Sequence, residues 1–279
     1  MDSAVEPLAG TPVPISERRQ LAREPVSAVR ARIRSGAFAD QTGGLAPGNL
    51  QGNLAILPAA YAQDFSAYCQ RNPKPCPLVG VSDRGDPMMR TLGDIDIRTD
   101  VPLYNIYRDG ELAGQARDIR DLWQDDFVAF VLGCSYSFDA ALQMGGLPLR
   151  HLEVGRTPSV FVTNVPTVPA GPFGGGLVVS MRPFSVPDAV RAIEVTARYP
   201  NAHGTPVHFG DPAAIGIADM NRPDWGGPID VLPGEVPVFW ACGVTPQVAI
   251  RRARPPICIT HAPGCMLITD CEALSGDLR

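Results

Sequence analysis

Lysine is almost missing from this chain: of 24 basic residues only Lys74 is a lysine, and the other 23 are arginines. Schiff-base chemistry and most pyridoxal-phosphate chemistry need a lysine amine, so both lose their usual footing. Basic runs interleaved with aromatics are also lacking, and the net charge is −5 with a sequence pI near 5.4, which argues against nucleic acid as a partner. No apolar run is long enough to cross a bilayer. The first 30 residues carry several acids and no apolar h-region, so neither a membrane partner nor a signal peptide is expected. The seven cysteines, at 69, 76, 134, 242, 258, 265 and 271, contain no C-x-x-C pair. This disfavours zinc ribbons and thioredoxin-type motifs, and free thiols in a reducing cytoplasm are expected. There is no Walker motif, and FGGGLVV (173–179) has neither G-x-G-x-x-G spacing nor a following helix. A G-x-S-x-G elbow is absent too, against an ordinary serine hydrolase. No cofactor and no metal are expected.

What is present suits a folded enzyme-sized chain. The 279 residues are 45% hydrophobic and 19% charged, enough to bury a substantial core. Residues 1–14 read as a loose Pro- and Ala-rich segment, and residues 15–34 as two short helices divided at Pro25. GGLAPGNLQGNLAILP is a glycine-rich loop feeding an apolar run that carries two polar amides, Gln51 and Asn53. PAAYAQDFSAYCQRN reads as a helix with Phe65, Tyr68 and Cys69 on its inner face. DIDIRTD (94–100) alternates with a strand's period of two, and DLWQDDFVAFVLG has helical spacing. SVFVTNVPTV and FGGGLVVSMRPF read as two strands, and VPDAVRAIEVTARYP as an amphipathic helix. The order predicts an α/β protein: a mixed-sheet α/β core (15–95 plus 216–279) with a second, smaller α+β subdomain inserted at about 96–215. A homodimer is the base-rate expectation.

The most informative stretch is VFWACGVTPQ (238–247). An apolar strand ends at Cys242, Gly243 turns the chain, and Thr245 with Pro246 reads as an N-cap and first helical residue. QVAIRRAR follows, stopped by Pro255-Pro256, and ICIT reads as the next strand. If the two strands are parallel neighbours, Cys242 and His261 end on the same side and share a crevice. Cys134, in GCSYSFDAAL, is a second cysteine at a helix start, with Ser135 or Ser137 as its cap. A helix N-terminus favours anions and lowers a thiol pKa, although most free cysteines only pack.

His208 is an acid/base candidate, since imidazole titrates near neutrality; the competing reading is a hydrogen-bonded core histidine. His203 and His208, five apart, form no diagnostic metal pattern. Arg98 and Arg182 lie inside strand-like runs, and either could clamp a carboxylate or sit in a structural ion pair. Thr163 and Asn164 close a buried-looking strand and could donate to a substrate oxygen. The candidates are thus Cys242, His208, His261 and Cys134 for proton transfer, and Arg98, Arg182, Ser135, Asn164, Thr245 and Asn53 for binding a small carboxylic or amino acid.

Taken together, APGNLQGNLAILP, FSAYCQRNPKPCPLVG, GDIDIRTDVPLY, FVLGCSYSFDAAL, VVSMRPF, HGTPVHFGDPAAIGI, PVFWACGVTPQ and ITHAPGCMLITD resemble the D-glutamate cyclase family, over about Ala46 to Asp270. Asn49 stands where an aromatic is expected and Gly52 where alanine is expected. The resemblance implies a two-part α/β fold and a carbon–oxygen lyase that removes water, the named reaction being closure of D-glutamate to 5-oxo-D-proline. A non-catalytic small-acid binder and a lactam or amide hydrolase are the competing readings.

Overall fold

The computed structural model describes residues 13–274; the segment expected to be loose, 1–14, lies outside them except for its last two residues. In chain order the elements are α1 (Ile15–Leu21), α2 (Val26–Arg34), β1 (Asn49–Pro58), α3 (Ala59–Arg71), β2 (Leu78–Val81), β3 (Tyr104–Arg108), β4 (Glu111–Ala116), β5 (Phe127–Gly133), α4 (Tyr136–Met144) and α5 (Arg150–Glu153). There follow β6 (Ser159–Pro166), β7 (Gly176–Ser185), α6 (Val186–Thr196), β8 (His208–Phe209), β9 (Glu235–Ala241), α7 (Val244–Ala253), β10 (Cys258–His261) and β11 (Leu267–Glu272).

These elements form a mixed α/β fold with two sheets. The first runs β2-β5-β1-β10-β3-β4, with β11 also on β1; the second runs β6-β7-β9-β8. Every named pair is antiparallel, so the expectation of parallel neighbours fails. β9 and β10 belong to different sheets. Sheet membership also departs from the expected subdomain span of 96–215: β3, β4 and β5 hydrogen-bond into the first sheet, and β9 into the second.

The central strands explain the long apolar runs. All seven residues of β5 are buried, because β1 and β2 flank it and both faces are covered. Phe127, Ala129 and Val131 face a core with Leu54, Ile56 and Ile259. Val128, Phe130 and Leu132 face the opposite core, closed by Phe65, Tyr68 and Cys69 of α3 and by Ala249 and Ile250 of α7. This period-two split overrides the helical spacing read into 121–133, of which only a 3-10 turn at Arg120–Leu122 is helical. In DIDIRTD the alternation is real, since Ile95 and Ile97 are fully buried. The segment nevertheless forms turns with a single bridge, Met88 to Asp96. Asp100, also fully buried, holds Arg34 through two hydrogen bonds of 2.7 Å.

The second sheet is organised the same way. Val238 and Trp240 of β9 face Phe138 and Leu142 of α4 and Ala189 and Ala192 of α6. Phe239, between them, faces Phe161, Val179, Met181 and Ile215. Two chain crossings therefore link the sheets. β5 belongs to the first sheet while the body of α4 packs on the second; β9 belongs to the second while α7 packs on the first.

Candidate active site at the two crossings

Both crossings carry a cysteine, and both are tied down alike. In the first, Cys134 N–H donates to the Gln51 carbonyl (2.9 Å). Three residues on, the Ser137 hydroxyl accepts from Gln51 N–H (2.9 Å) and donates to the Gln51 carbonyl (3.3 Å). In the second, Cys242 N–H donates to the Val178 carbonyl (3.0 Å). Again three residues on, the Thr245 hydroxyl accepts from Val178 N–H (3.0 Å) and donates to the Val178 carbonyl (3.3 Å). A repeated C-x-x-[S/T] thus replaces strand pairing where each chain segment leaves its sheet. Thr245 is accordingly not the N-cap: that position is Gly243, and the Ser135 hydroxyl makes no cap bond either.

Asn53 of β1 joins the crossings. Its Nδ2 donates to the carbonyls of Gly133 (3.0 Å) and Leu132 (3.3 Å). A Cβ on Gly243 would fall 2.0 Å from the same nitrogen. Gly133 is equally constrained, since a Cβ there would lie 1.6 Å from the Asn201 carbonyl oxygen. Two helix N-termini and their thiols are thereby held side by side. Cys242 is half-buried and Cys134 buried.

Helix N-termini do favour thiolates, and backbone N–H groups do reach both sulfurs: Tyr136 at Cys134, and Val244 and Gly243 at Cys242. Burial outweighs them. It pushes the Cys134 thiol up to about 12, with the neighbouring Cys242 adding to the rise, and it raises Cys242 as well. Both cysteines are therefore protonated at neutral pH, contrary to the lowered pKa expected at a helix start.

Arg182 of β7 lies fully buried below the first crossing. Its Nη2 donates to the Ser135 hydroxyl (3.1 Å) and to Asp139 (2.9 Å), and its Nη1 to Ser180 (3.2 Å). The guanidinium stands 5.2 Å from the Phe138 ring centroid and 5.6 Å from that of Trp240, so aromatic faces share the cost of burying the charge. Its Nε–H has no hydrogen-bond partner among the described residues. The other Asp139 oxygen faces His151 Nε2 at 3.3 Å. Burial works to raise the Asp139 carboxyl, but the Arg182 charge and the His151 bond hold it below the ordinary carboxylate range.

His261 approaches from the first sheet. Its Nδ1 accepts from Leu54 N–H (3.0 Å), and Gln247 Nε2 of α7 lies within 3.3 Å of both ring nitrogens. Burial depresses its pKa to about 4. His261 and Cys242 thus both border α7, through packing between sheets and not as ends of adjacent parallel strands.

Three sequence candidates lie elsewhere. Arg98 is clamped by Asp96 at 2.8 and 2.9 Å. His208, on edge strand β8, bonds the Asp211 carbonyl (2.7 Å), and its ring lies tilted 5.8 Å from that of Phe239, on the face of the second sheet opposite Arg182. Asn164 is exposed on β6, beside Gly216. Asn53, Cys134, Ser135, Arg182, Cys242 and Thr245 are brought together. Sequence reasoning missed Asp139, His151, Ser180 and Gln247. The C-x-x-[S/T] repeat was the available signal for the paired crossings, and Asp139 falls one helical turn after Ser135. Among the described residues no three His, Cys, Asp or Glu groups come together as metal ligands, and no helix is long and apolar enough to cross a membrane.

Comparison with known proteins fits this site-bearing region. A model of the family described as D-glutamate cyclase matches residues 128–270, which include both crossings. A protein of Dinoroseobacter shibae named "Putative hydro-lyase" is 61% identical over 90% of this chain and 84% of its own length. One from Bordetella petrii with the same description is 60% identical over 88% of this chain and 94% of its own. Among solved structures, a nitrogen repressor-like protein from Methanococcus jannaschii aligns over 84% of this chain and 91% of that one, with a TM-score of 0.38 and 12% identity. By its sequence matches, this chain belongs to the D-glutamate cyclase family, alongside curated relatives named "Putative hydro-lyase".

Proposed function

We propose that this protein is a carbon–oxygen hydro-lyase acting on a small carboxylic or amino acid, and that its reaction is the closure of D-glutamate to 5-oxo-D-proline with release of water. The observation that carries this reading is the meeting of two protonated thiols, each at a helix N-terminus, beside a buried arginine whose Nε–H has no partner among the described residues. Lactam formation expels an oxygen from the γ-carboxyl group, and that oxygen must gain protons to leave as water. A protonated thiol is suited to donate one. The N–H groups around each sulfur then stabilise the negative charge left behind. Arg182 Nε–H is the donor for a substrate carboxylate, and Asn53 and Ser135 hold the surrounding turns.

The residues on hand balance the chemistry. Nitrogen loses two protons on passing from ammonium to lactam, and the departing oxygen gains two, so neither oxidant nor reductant is required. The direct test is a proton NMR time course started separately from D-glutamate and from 5-oxo-D-proline, with Cys242→Ala and Cys134→Ser run alongside. Conversion by the wild type that falls at least 100-fold in a folded thiol variant supports the reading. Ligand binding without conversion from either side favours a non-catalytic small-acid binder.

A further inference from the structure

One buried titratable group near the site has no part in the chemistry so far. His203 is 2% exposed and follows the 3-10 turn Pro200–Ala202. That turn presses the Asn201 carbonyl against Gly133, next to Cys134. Ala202 packs with Phe138 and Trp240, the two rings that flank the Arg182 guanidinium. The His203 backbone is left-handed, with φ of +76°, a conformation uncommon for residues other than glycine and found at functional sites.

The ring itself is held at one end only. Nδ1 lies 2.9 Å from the Lys74 carbonyl. A carbonyl only accepts, so Nδ1 carries the hydrogen and Nε2 is left as an open lone pair. Nε2 is buried and has no partner among the described residues. A buried acceptor without a donor is costly and calls for a reason. Of the three other buried side-chain atoms without a partner among the described residues, Gln51 Oε1, Tyr68 Oη and Arg182 Nε, the last is a cationic donor whose charge acts on this ring. The charged groups facing the ring are Arg182 and Lys74; both disfavour its protonation, after burial itself, and together they bring its pKa to about 4. Lys74 is in turn lowered by burial and donates to Thr205 at 2.9 Å. His203 is thus a neutral imidazole of defined tautomer.

An open acceptor whose ring interacts with the charge of an open cation donor matches one class of ligand: an α-amino carboxylate, which offers an ammonium donor and a carboxylate acceptor on adjacent atoms. We propose that His203 Nε2 is the proton acceptor of this site, taking a proton from the substrate ammonium while Arg182 Nε–H holds the carboxylate. This rests on the reading of the Arg182 region as the substrate site. The N–H bond breaks toward Nε2, and the nitrogen pair so freed attacks the γ-carbon. A C–N bond then forms and a C–O bond breaks. The departing oxygen takes one proton from a thiol and one from the His203 imidazolium. The second nitrogen proton returns to the thiolate, so that water leaves and both groups are restored. Bound carboxylates add negative charge beside the imidazole and favour its protonated form.

The test uses full-length protein with ¹⁵N-labelled histidine, followed by long-range proton–nitrogen NMR. The chain has four histidines, and a His203→Asn variant identifies the resonance. Asparagine tolerates the left-handed backbone and retains a donor for the Lys74 carbonyl, but it has no base. The expected result is an Nε2 resonance of unprotonated type that moves toward the protonated type with D-glutamate, and moves clearly less with glutarate, which brings the two carboxylates but no ammonium proton. The variant should lose at least 100-fold in kcat/KM while its circular dichroism is unchanged. An Nε2 signal unmoved by saturating D-glutamate, or a folded variant active within a few-fold of wild type, overturns the assignment. A moving signal without turnover in the wild type keeps His203 in the binding site and rejects the cyclase reaction instead. If the variant does not fold, the wild-type spectra alone decide.

Discussion

The Asn53 carboxamide occupies the space that a side chain on Gly243 would need: a Cβ there would come within 2.0 Å of Nδ2. The glycine backbone is ordinary right-handed helix, with φ of −66°, so the close approach alone dictates the residue. Gly243→Ala should destabilise the fold by about 1–3 kcal/mol through overpacking. Combining it with Asn53→Ala should restore part of that loss. A double-mutant cycle by urea unfolding measures the coupling, and additive effects would show that the contact is relaxed at little cost.

Arg182 and Arg98, equivalent from the sequence, should behave differently. Asp139→Asn leaves the buried guanidinium without its counter-ion and should cost about 3–5 kcal/mol, read as a lowered denaturation midpoint. Arg98→Ala removes only a partly exposed pair with Asp96. It should change stability by no more than about 1 kcal/mol and leave turnover intact. Equal effects from the two substitutions would contradict the assignment of roles.

Thiol reactivity checks the state of the two cysteines. With both pKa values raised by burial, and that of Cys134 near 12, neither should alkylate with iodoacetamide at pH 7.5 as fast as a free thiol. Cys242, the more exposed of the two, should react before Cys134, and both rates should climb steeply above pH 9. Rapid modification at neutral pH would mark a thiolate and remove the proton-donor role.

Acid should weaken the fold through its buried imidazoles. His203 and His261 have pKa values near 4 when folded, against about 6.5 in an unfolded chain. The unfolded state therefore binds more protons between these values. Stability is fully present above about pH 6.5 and falls as the pH drops toward 4, by about 3 kcal/mol per histidine. His261→Gln should flatten this dependence in urea titrations at pH 7.5, 5.5 and 4.5. An identical slope in the variant would show that His261 does not contribute to it.

Much of the local structure was legible in the sequence. Helices α2, α3, α6 and α7 follow from apolar spacing and from Pro25, Pro187 and Pro255-Pro256 near their ends, while the Ser185 cap of α6 emerges only in the structure. β5 was misread because FVAFVLG supplies both a helical stripe and a doubly buried strand. Short apolar runs do not distinguish these, and only the flanking strands β1 and β2 settle the choice.

The sequence by itself determined where the two cysteines stand: each ends an apolar run and begins a helix, a placement dictated by residues within ten positions. Which groups meet those cysteines was decided by the tertiary structure. Asn53, Arg182 and His203 come from separate stretches of chain, and their approach depends on two antiparallel sheets exchanging helices at the crossings. Pairing direction and sheet membership arise from long-range packing of both strand faces, which local periodicity does not encode. The thiol pKa is likewise a property of the whole fold, because burial is a collective result and here outweighs the local field of a helix end.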